Sequence, residues 1–189
     1  HQIANWLPLL KGSQEYPKVV HSKIQRLPFS LPLPLTEEGK EERLQGLTRG
    51  QLKVQDGCDF MCSFCVIPFA RGRSRHREFD NLCAEAEQQV ASGIQEIVLT
   101  GVNLGTYDIC GRNLVDIVDF LDSLKDLQRI RISSIEPTTV DPGLLERMGD
   151  QSHKLVPFLH LPVQSGSNQI LELMKRRYNS LEYARAVSY

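Results

Sequence analysis

The sequence predicts an α/β fold: a partial, open (β/α) barrel of the TIM-like kind, or a doubly wound sheet. Three observations predict it. Strand-like and helix-like patterns alternate from Arg49 onward, which implies parallel strands joined by helical crossovers. Four such units fit between Arg49 and Tyr189, whereas a closed eightfold barrel needs about 250 residues. Chemically distinctive residues follow each strand, where parallel folds place their ligands.

The first 48 residues read differently. Five of the ten prolines fall there (Pro8, Pro17, Pro28, Pro32 and Pro34), and "LPFSLPLPL" cannot be helical because proline removes a donor and restricts its predecessor. Residues 1–48 are therefore expected to be the tail of an upstream domain plus a proline-rich linker, with 49–189 as a core domain incomplete at its C-terminus. The absence of an initial methionine fits a piece of a longer chain.

The elements follow in order. "QLKVQ" (Gln51 to Gln55) alternates as a strand does. "DNLCAEAEQQVASG" predicts a helix with Asp80 as cap and Gly93 as stop. "EIVLT" (Glu96 to Thr100) predicts a buried parallel strand. Leu114, Ile117, Val118, Leu121 and Leu124 recur at helical spacing. "RIRIS" (Arg129 to Ser133) is the third strand. Asp141 followed by Pro142 opens a short helix. "VPFLHL" (Val156 to Leu161) predicts a fourth strand. "SGSNQILELMKRR", capped by Ser167 or Asn168, and "SLEYARAVSY" predict two last helices.

Composition excludes several classes. The chain of 189 residues is 41% hydrophobic and 24% charged, with net charge -1. That suffices for a core, and no global field points to nucleic acid or membrane. No apolar run approaches the roughly 20 residues that span a bilayer, and no signal-peptide pattern opens the chain. Five clustered cysteines suit a reducing cytoplasm and metal ligation rather than a disulfide framework.

Three of those cysteines lie within "GCDFMCSFC": Cys58, Cys62 and Cys65, spaced C-x3-C-x2-C. Such a loop can wrap a polynuclear centre, with Gly57 supplying the turn. Zinc with His76 as fourth ligand, or plain buried thiols, remain open on spacing alone, although structural zinc wants four closed ligands. Three thiolates on a four-iron cubane would leave one iron open, as a catalytic metal requires. Cys83 and Cys110 stand apart and read as incidental. In "ARGRSRHRE", Arg71, Arg73, Arg75 and Arg77 alternate. Alone, they read as a solvated loop pairing with Glu78 and Asp80; beside a substrate cavity they suit bidentate phosphate contacts. "MKRRY" (Met174 to Tyr178) reads as a second basic patch or a charged helix end.

The C-x3-C-x2-C loop with Phe64 before its last cysteine resembles the radical S-adenosylmethionine (SAM) superfamily. The longer strings "GCDFMCSFCVIPFARGRSR", "EIVLTGVNLGTY", "RIRISSIEP" and "HLPVQSGSNQILELMKRRY" resemble its methylthiotransferases, over about Leu52 to Tyr178. "SSIEP" and "LTGVNLGTY" look most like the MtaB type, which modifies N6-threonylcarbamoyladenosine beside the tRNA anticodon. The isopentenyl-adenosine and ribosomal-protein types are the alternatives, and a non-catalytic zinc-binding RNA module is a remoter one.

The resemblance implies a truncated barrel of the radical SAM type. It implies that Cys58, Cys62 and Cys65 hold a [4Fe-4S] cluster whose open iron chelates S-adenosyl-L-methionine. One electron then breaks a sulfonium carbon–sulfur bond, and the resulting deoxyadenosyl radical abstracts hydrogen from the substrate. Phe64 is expected to pack on the adenine. Gly101, Val102 and Asn103 would meet the methionine amino group. Glu136 and Gln164 would reach the ribose or methionine, and Ser165 and Gly166 would allow close approach at a helix start. Arg71, Arg73 and Arg75 would contact the anticodon stem-loop. A flavodoxin-like or ferredoxin-like donor would supply the electron, in the cytoplasm. Family members carry a second [4Fe-4S] cluster on an upstream domain, whereas no cysteine precedes Cys58. The expectation is SAM cleavage without completed methylthiolation.

Overall fold

In the computed structural model of the chain, residues 47–188 are described. The expected tail and linker over 1–48 thus lie almost wholly outside the described residues. A three-stranded parallel sheet organises the rest, in the order β1 (Arg49–Lys53), β4 (Glu96–Thr100), β5 (Arg129–Ile132). A two-stranded antiparallel ladder, β2 (Gln55–Asp56) with β3 (Arg75–His76), sits beyond the end of β1.

Register sorts the sheet's faces. Gly50, Ile97 and Ile130 align across the strands, as do Leu52, Leu99 and Ile132, and these six are buried. Residues two apart share a face, so this face is apolar. Helix α2 (Phe79–Ala91) turns Leu82 and Ala86 into the core, and α3 (Leu114–Ser123) adds Leu114, Ile117, Val118 and Leu121. Each large aliphatic side chain so buried contributes about 1.5–3 kcal/mol. The other face is polar: Glu96 lies between its register partners Arg49 and Arg129.

Local chemistry sets the helix ends. Asn113 accepts from Val115 N at 2.8 Å and Asp116 N at 3.3 Å, and Asp116 reaches back to Asn113 N at 2.7 Å, a reciprocal cap. Asp141 caps α4 (Pro142–Gly149) through Gly143 N at 2.7 Å. Asn179 and Glu182 repeat the reciprocal cap on α6 (Ser180–Val187). Gly93, at φ +94°, ends α2 as expected. Asp80 does not cap α2: Glu78 holds that position, and Asp80 lies in the first turn, where a negative charge still meets the positive helix end.

Other expectations are corrected. "QLKVQ" is two elements, because pairing runs from Arg49 to Lys53 and Gln55 has passed to the second ladder. "VPFLHL" is not a continuous strand. Its pairing is reduced to two isolated parallel bridges, Leu155 with Ile130 just before the stretch and His160 with Ser134 within it, and to Val156 N donating to Ile130 O at 3.0 Å. Pro157 has no N–H to give, and the Phe158 N–H bonds back to Val156 at 2.8 Å. The arginine stretch is loop only in part: Gly72 to Ser74, Arg77 and Glu78 are irregular. The rest is the end of a short helix, α1 (Ile67–Arg71), and β3.

Candidate metal centre

The carboxyl ends of the parallel strands share one edge, and the chain leaves each of them into a loop carrying predicted site residues. The cysteine loop is fixed at its root by Gly57. At φ +71°, a Cβ there would stand 2.1 Å from the carbonyl oxygen of Arg73, so only glycine fits. Beside it, Cys58 N donates to Gly72 O at 3.1 Å.

Gln55 holds the edge together, a role that sequence reasoning missed. Fully buried, its Nε2 donates to Gly57 O at 2.6 Å and Ser74 Oγ at 2.9 Å, while its Oε1 accepts from Val102 N at 2.8 Å and Asn103 N at 3.0 Å. One amide thus joins the cysteine loop, the arginine stretch and the turn after β4. A polar residue at an apparent strand end was the signal available; only register reveals that it points inward.

Cys58, Cys62 and Cys65 are free thiols on this loop, Cys58 and Cys62 buried and Cys65 half-buried. Phe60 N donates to Cys58 Sγ at 3.3 Å, and Cys65 N to Cys62 O at 3.1 Å. Burial pushes the Cys58 thiol up, and the neighbouring Cys62 and Cys65 push it the same way against the Phe60 hydrogen bond. A thiol held protonated by burial, with two more thiols on the same loop, suits a positively charged group, which reverses that sign. A soft all-sulfur set fits an iron–sulfur cluster. His76 does not complete a zinc site: its Nε2 meets Ser74 Oγ at 3.0 Å and its Nδ1 meets Asp108 O at 2.9 Å. Among the described residues, no three His, Cys, Asp or Glu side chains are grouped as ligands for a single metal ion.

The segment after α5 (Asn168–Leu173) clasps this loop. Leu173 O and Met174 O accept from Ser63 Oγ at 2.9 Å and Ser63 N at 3.1 Å. Arg177 donates to Asp59 O at 3.1 Å and stacks 3.8 Å above the Phe60 ring. Arg176 donates to Cys62 Sγ at 3.3 Å and pairs with Glu136. Within the "MKRRY" string, the Arg176 side chain and Tyr178 thus turn inward, while Lys175 and Arg177 stay exposed at the helix end.

The remaining predicted residues divide. Glu136 is buried and engaged by Arg176. Asn103 is buried, and its Oδ1 accepts from Thr139 Oγ1 at 3.1 Å. Gly101 packs against Gln55 and Leu104. Phe64 is exposed, with Met61, Val66 and Phe69 exposed nearby in sequence. Gln164 is exposed at φ +65°, and the Ser165 hydroxyl accepts from Ser167 N at 3.1 Å; neither is joined to the cysteine loop by a hydrogen bond. Arg71 and Arg75 lean on Asp56 and Arg73 on Asp59, rather than on Glu78 and Asp80. Arg77 turns inward, 3% exposed, to Glu85 and Asn81, and is closed to any external phosphate. Cys83 is half-buried in α2, and Cys110 is exposed at φ +52°.

The family model described as the radical SAM superfamily matches residues 52–189. The chain belongs to the radical SAM superfamily. Among curated relatives of this radical SAM chain, the threonylcarbamoyladenosine tRNA methylthiotransferase MtaB of Bacillus subtilis is 43% identical over 134 residues, covering 69% of this chain and 30% of the relative. The tRNA-2-methylthio-N(6)-dimethylallyladenosine synthase of Ruegeria pomeroyi is 35% identical over 191 residues, covering 95% and 43%. The chain thus spans under half the length of these relatives. Among solved structures, the radical S-adenosylmethionine methyltransferase TsrM of Kitasatospora setae, with cobalamin and a [4Fe-4S] cluster bound, aligns with TM-score 0.58 at 20% identity over 74% of this chain and 28% of that one. The cobalamin-dependent radical enzyme OxsB aligns with TM-score 0.58 at 18% identity, over 72% and 21%. These likenesses establish the expected partial parallel α/β fold. Among the described residues no helix is long and apolar enough to cross a membrane.

Proposed function

We propose that this chain is the S-adenosylmethionine-cleaving core of a tRNA methylthiotransferase, acting on N6-threonylcarbamoyladenosine beside the anticodon. The observation that carries the reading is the trio of free, loop-borne thiols at the carboxyl edge of a radical SAM sheet, in a chain 43% identical to a threonylcarbamoyladenosine tRNA methylthiotransferase over the aligned stretch.

Cys58, Cys62 and Cys65 would hold a [4Fe-4S] cluster. With S-adenosyl-L-methionine bound, that cluster supplies one-electron cleavage of a sulfonium carbon–sulfur bond. The chain's own residues position and shield. Gly57 and Gln55 fix the loop root and the turn at Gly101 to Asn103, where the methionine end of the cofactor would lie. Phe64, exposed beside Cys65, is free to cover an adenine, which also excludes water. Gln164 would reach the ribose or methionine, and Ser165 with Gly166 would allow close approach of the cofactor at a helix start. Arg71, Arg73 and Arg75 would meet phosphates of the anticodon stem-loop, with Asp56 and Asp59 orienting them. A flavodoxin-like or ferredoxin-like protein would donate the electron in the cytoplasm. Completed methylthiolation would require the second [4Fe-4S] cluster of the full-length protein.

Anaerobic reconstitution of the chain tests this. Iron and sulfide in near-equal amounts, with deoxyadenosine released from S-adenosyl-L-methionine and lost in Cys58→Ser, Cys62→Ser and Cys65→Ser, are expected. A colourless zinc protein would sink the reading. Full-length protein offered tRNA bearing threonylcarbamoyl-adenosine or dimethylallyl-adenosine decides the substrate type.

A further inference from the structure

The guanidinium of Arg176 stands where the fold gives it no ordinary reason to be. Its side chain is about 5% exposed, and so is nearly cut off from water. One nitrogen, Nη2, bonds the Glu136 carboxylate and lies 3.3 Å from Tyr178 Oη. The other, Nη1, donates across the site to Cys62 Sγ at 3.3 Å. Its Nε is buried without a hydrogen-bond partner. The Tyr178 hydroxyl is itself held by Pro162 O and Val163 O, both at 2.9 Å. The arm that reaches sulfur therefore projects from a platform assembled by the loop after β5 and the loop after His160.

Two features argue that the fold is shaped to deliver this cation. Lys175, just before it, adopts φ +56°, a left-handed backbone that costs a non-glycine residue about 1 kcal/mol or more and persists where the surroundings impose it. That reversal follows α5 and carries the chain back over the cysteine loop. A buried ion pair is also a poor device for stability alone, since desolvating both charges offsets most of their attraction. The pair is better explained by what the cation faces.

We propose that Arg176 is a positioning residue that raises the reduction potential of the centre bound by Cys62, and that Glu136 serves as the anchor of Arg176. The inference rests on the proposed cluster. Reduction adds negative charge to the iron–sulfur centre. A cation hydrogen-bonded to one of its cysteine sulfurs favours the reduced form, and burial strengthens that effect. Lysine cannot substitute, because it carries a point charge and no two-armed fork that could hold Glu136 and reach Cys62 together.

The test uses the full chain, reconstituted anaerobically, alongside Arg176→Gln and Arg176→Lys. Midpoint potentials are read by electron paramagnetic resonance during redox titration without S-adenosyl-L-methionine, so that any contact of Arg176 with the cofactor plays no part. Circular dichroism confirms that each variant folds. Arg176→Gln is expected to shift the midpoint to more negative potential, with Arg176→Lys between it and the parent. A glutamine variant whose midpoint coincides with the parent's overturns the inference. If Arg176→Gln folds but takes up no cluster, Arg176→Lys decides, and a parent-like midpoint in it is equally fatal. A parent chain that binds no iron and sulfide instead overturns the cluster reading itself, a different result.

Discussion

The side-chain oxygen of Gln55 accepts a hydrogen bond from the backbone N–H of Asn103 at 3.0 Å, tying the root of the cysteine loop to the turn after the neighbouring strand. Gln55 is fully buried, and its bonds to Gly57 O and Asn103 N lie away from water, so its loss leaves buried donors and acceptors unmatched. Gln55→Leu, close in volume, is expected to lower stability by about 3 kcal/mol or more, at about 1–3 kcal/mol per orphaned group. The midpoint of urea unfolding measures this. An unchanged midpoint would mean that the amide does not hold the edge together.

Gly57→Ala meets two penalties at once: a left-handed backbone, worth about 1–2 kcal/mol, and a Cβ driven into the Arg73 carbonyl. Gly93→Ala meets only the first, since φ is +94° and nothing lies within 4 Å of the added carbon. The first variant should lose cluster uptake, scored as iron bound per chain, while the second keeps it.

Glu96 gives the fold an acid sensitivity. Burial pushes its carboxyl up, but Arg131, Arg49 and Arg129 outweigh burial and hold it below its ordinary value of 4.5. A carboxyl depressed in the folded state contributes stability that is fully present above pH 4.5 and fades as pH falls through the lower, folded value. Stability measured from neutral pH downward should therefore drop below about pH 4.5, and Glu96→Gln should flatten that part of the drop. Parallel acid profiles for the two proteins would contradict the assignment.

Arg73 has the most exposed side chain of the three arginines proposed to meet tRNA, at 64%. Arg73→Ala should weaken tRNA binding and reduce the slope of log affinity against log salt by roughly 0.7–0.9 per lost phosphate contact. Arg77→Ala is a contrast: with Arg77 buried against Glu85, it should cost stability rather than change the salt slope. Filter binding across a salt series separates the two outcomes.

Much of the candidate centre was legible in the order of residues, because its elements are local. The spacing of Cys58, Cys62 and Cys65 fixes one loop whatever the fold. The cap at Asp141 acts within two residues. The apolar period of α3 needs no distant partner. The fourth strand failed for a reason that was also local: Pro157 gives no donor, but alternation of apolar residues concealed the consequence.

The sequence by itself determined the alternation of strands and helices, the cysteine loop and the family, since each depends on near neighbours along the chain. Tertiary structure alone decided that Gln55 points inward to three loops, that Arg77 is buried while Arg73 is not, and that Arg176 crosses 114 residues of sequence to reach Cys62. Those pairings follow from strand register and from the backbone reversal at Lys175. Contacts between groups far apart in the chain are set by how whole elements pack, which no short window of residues encodes.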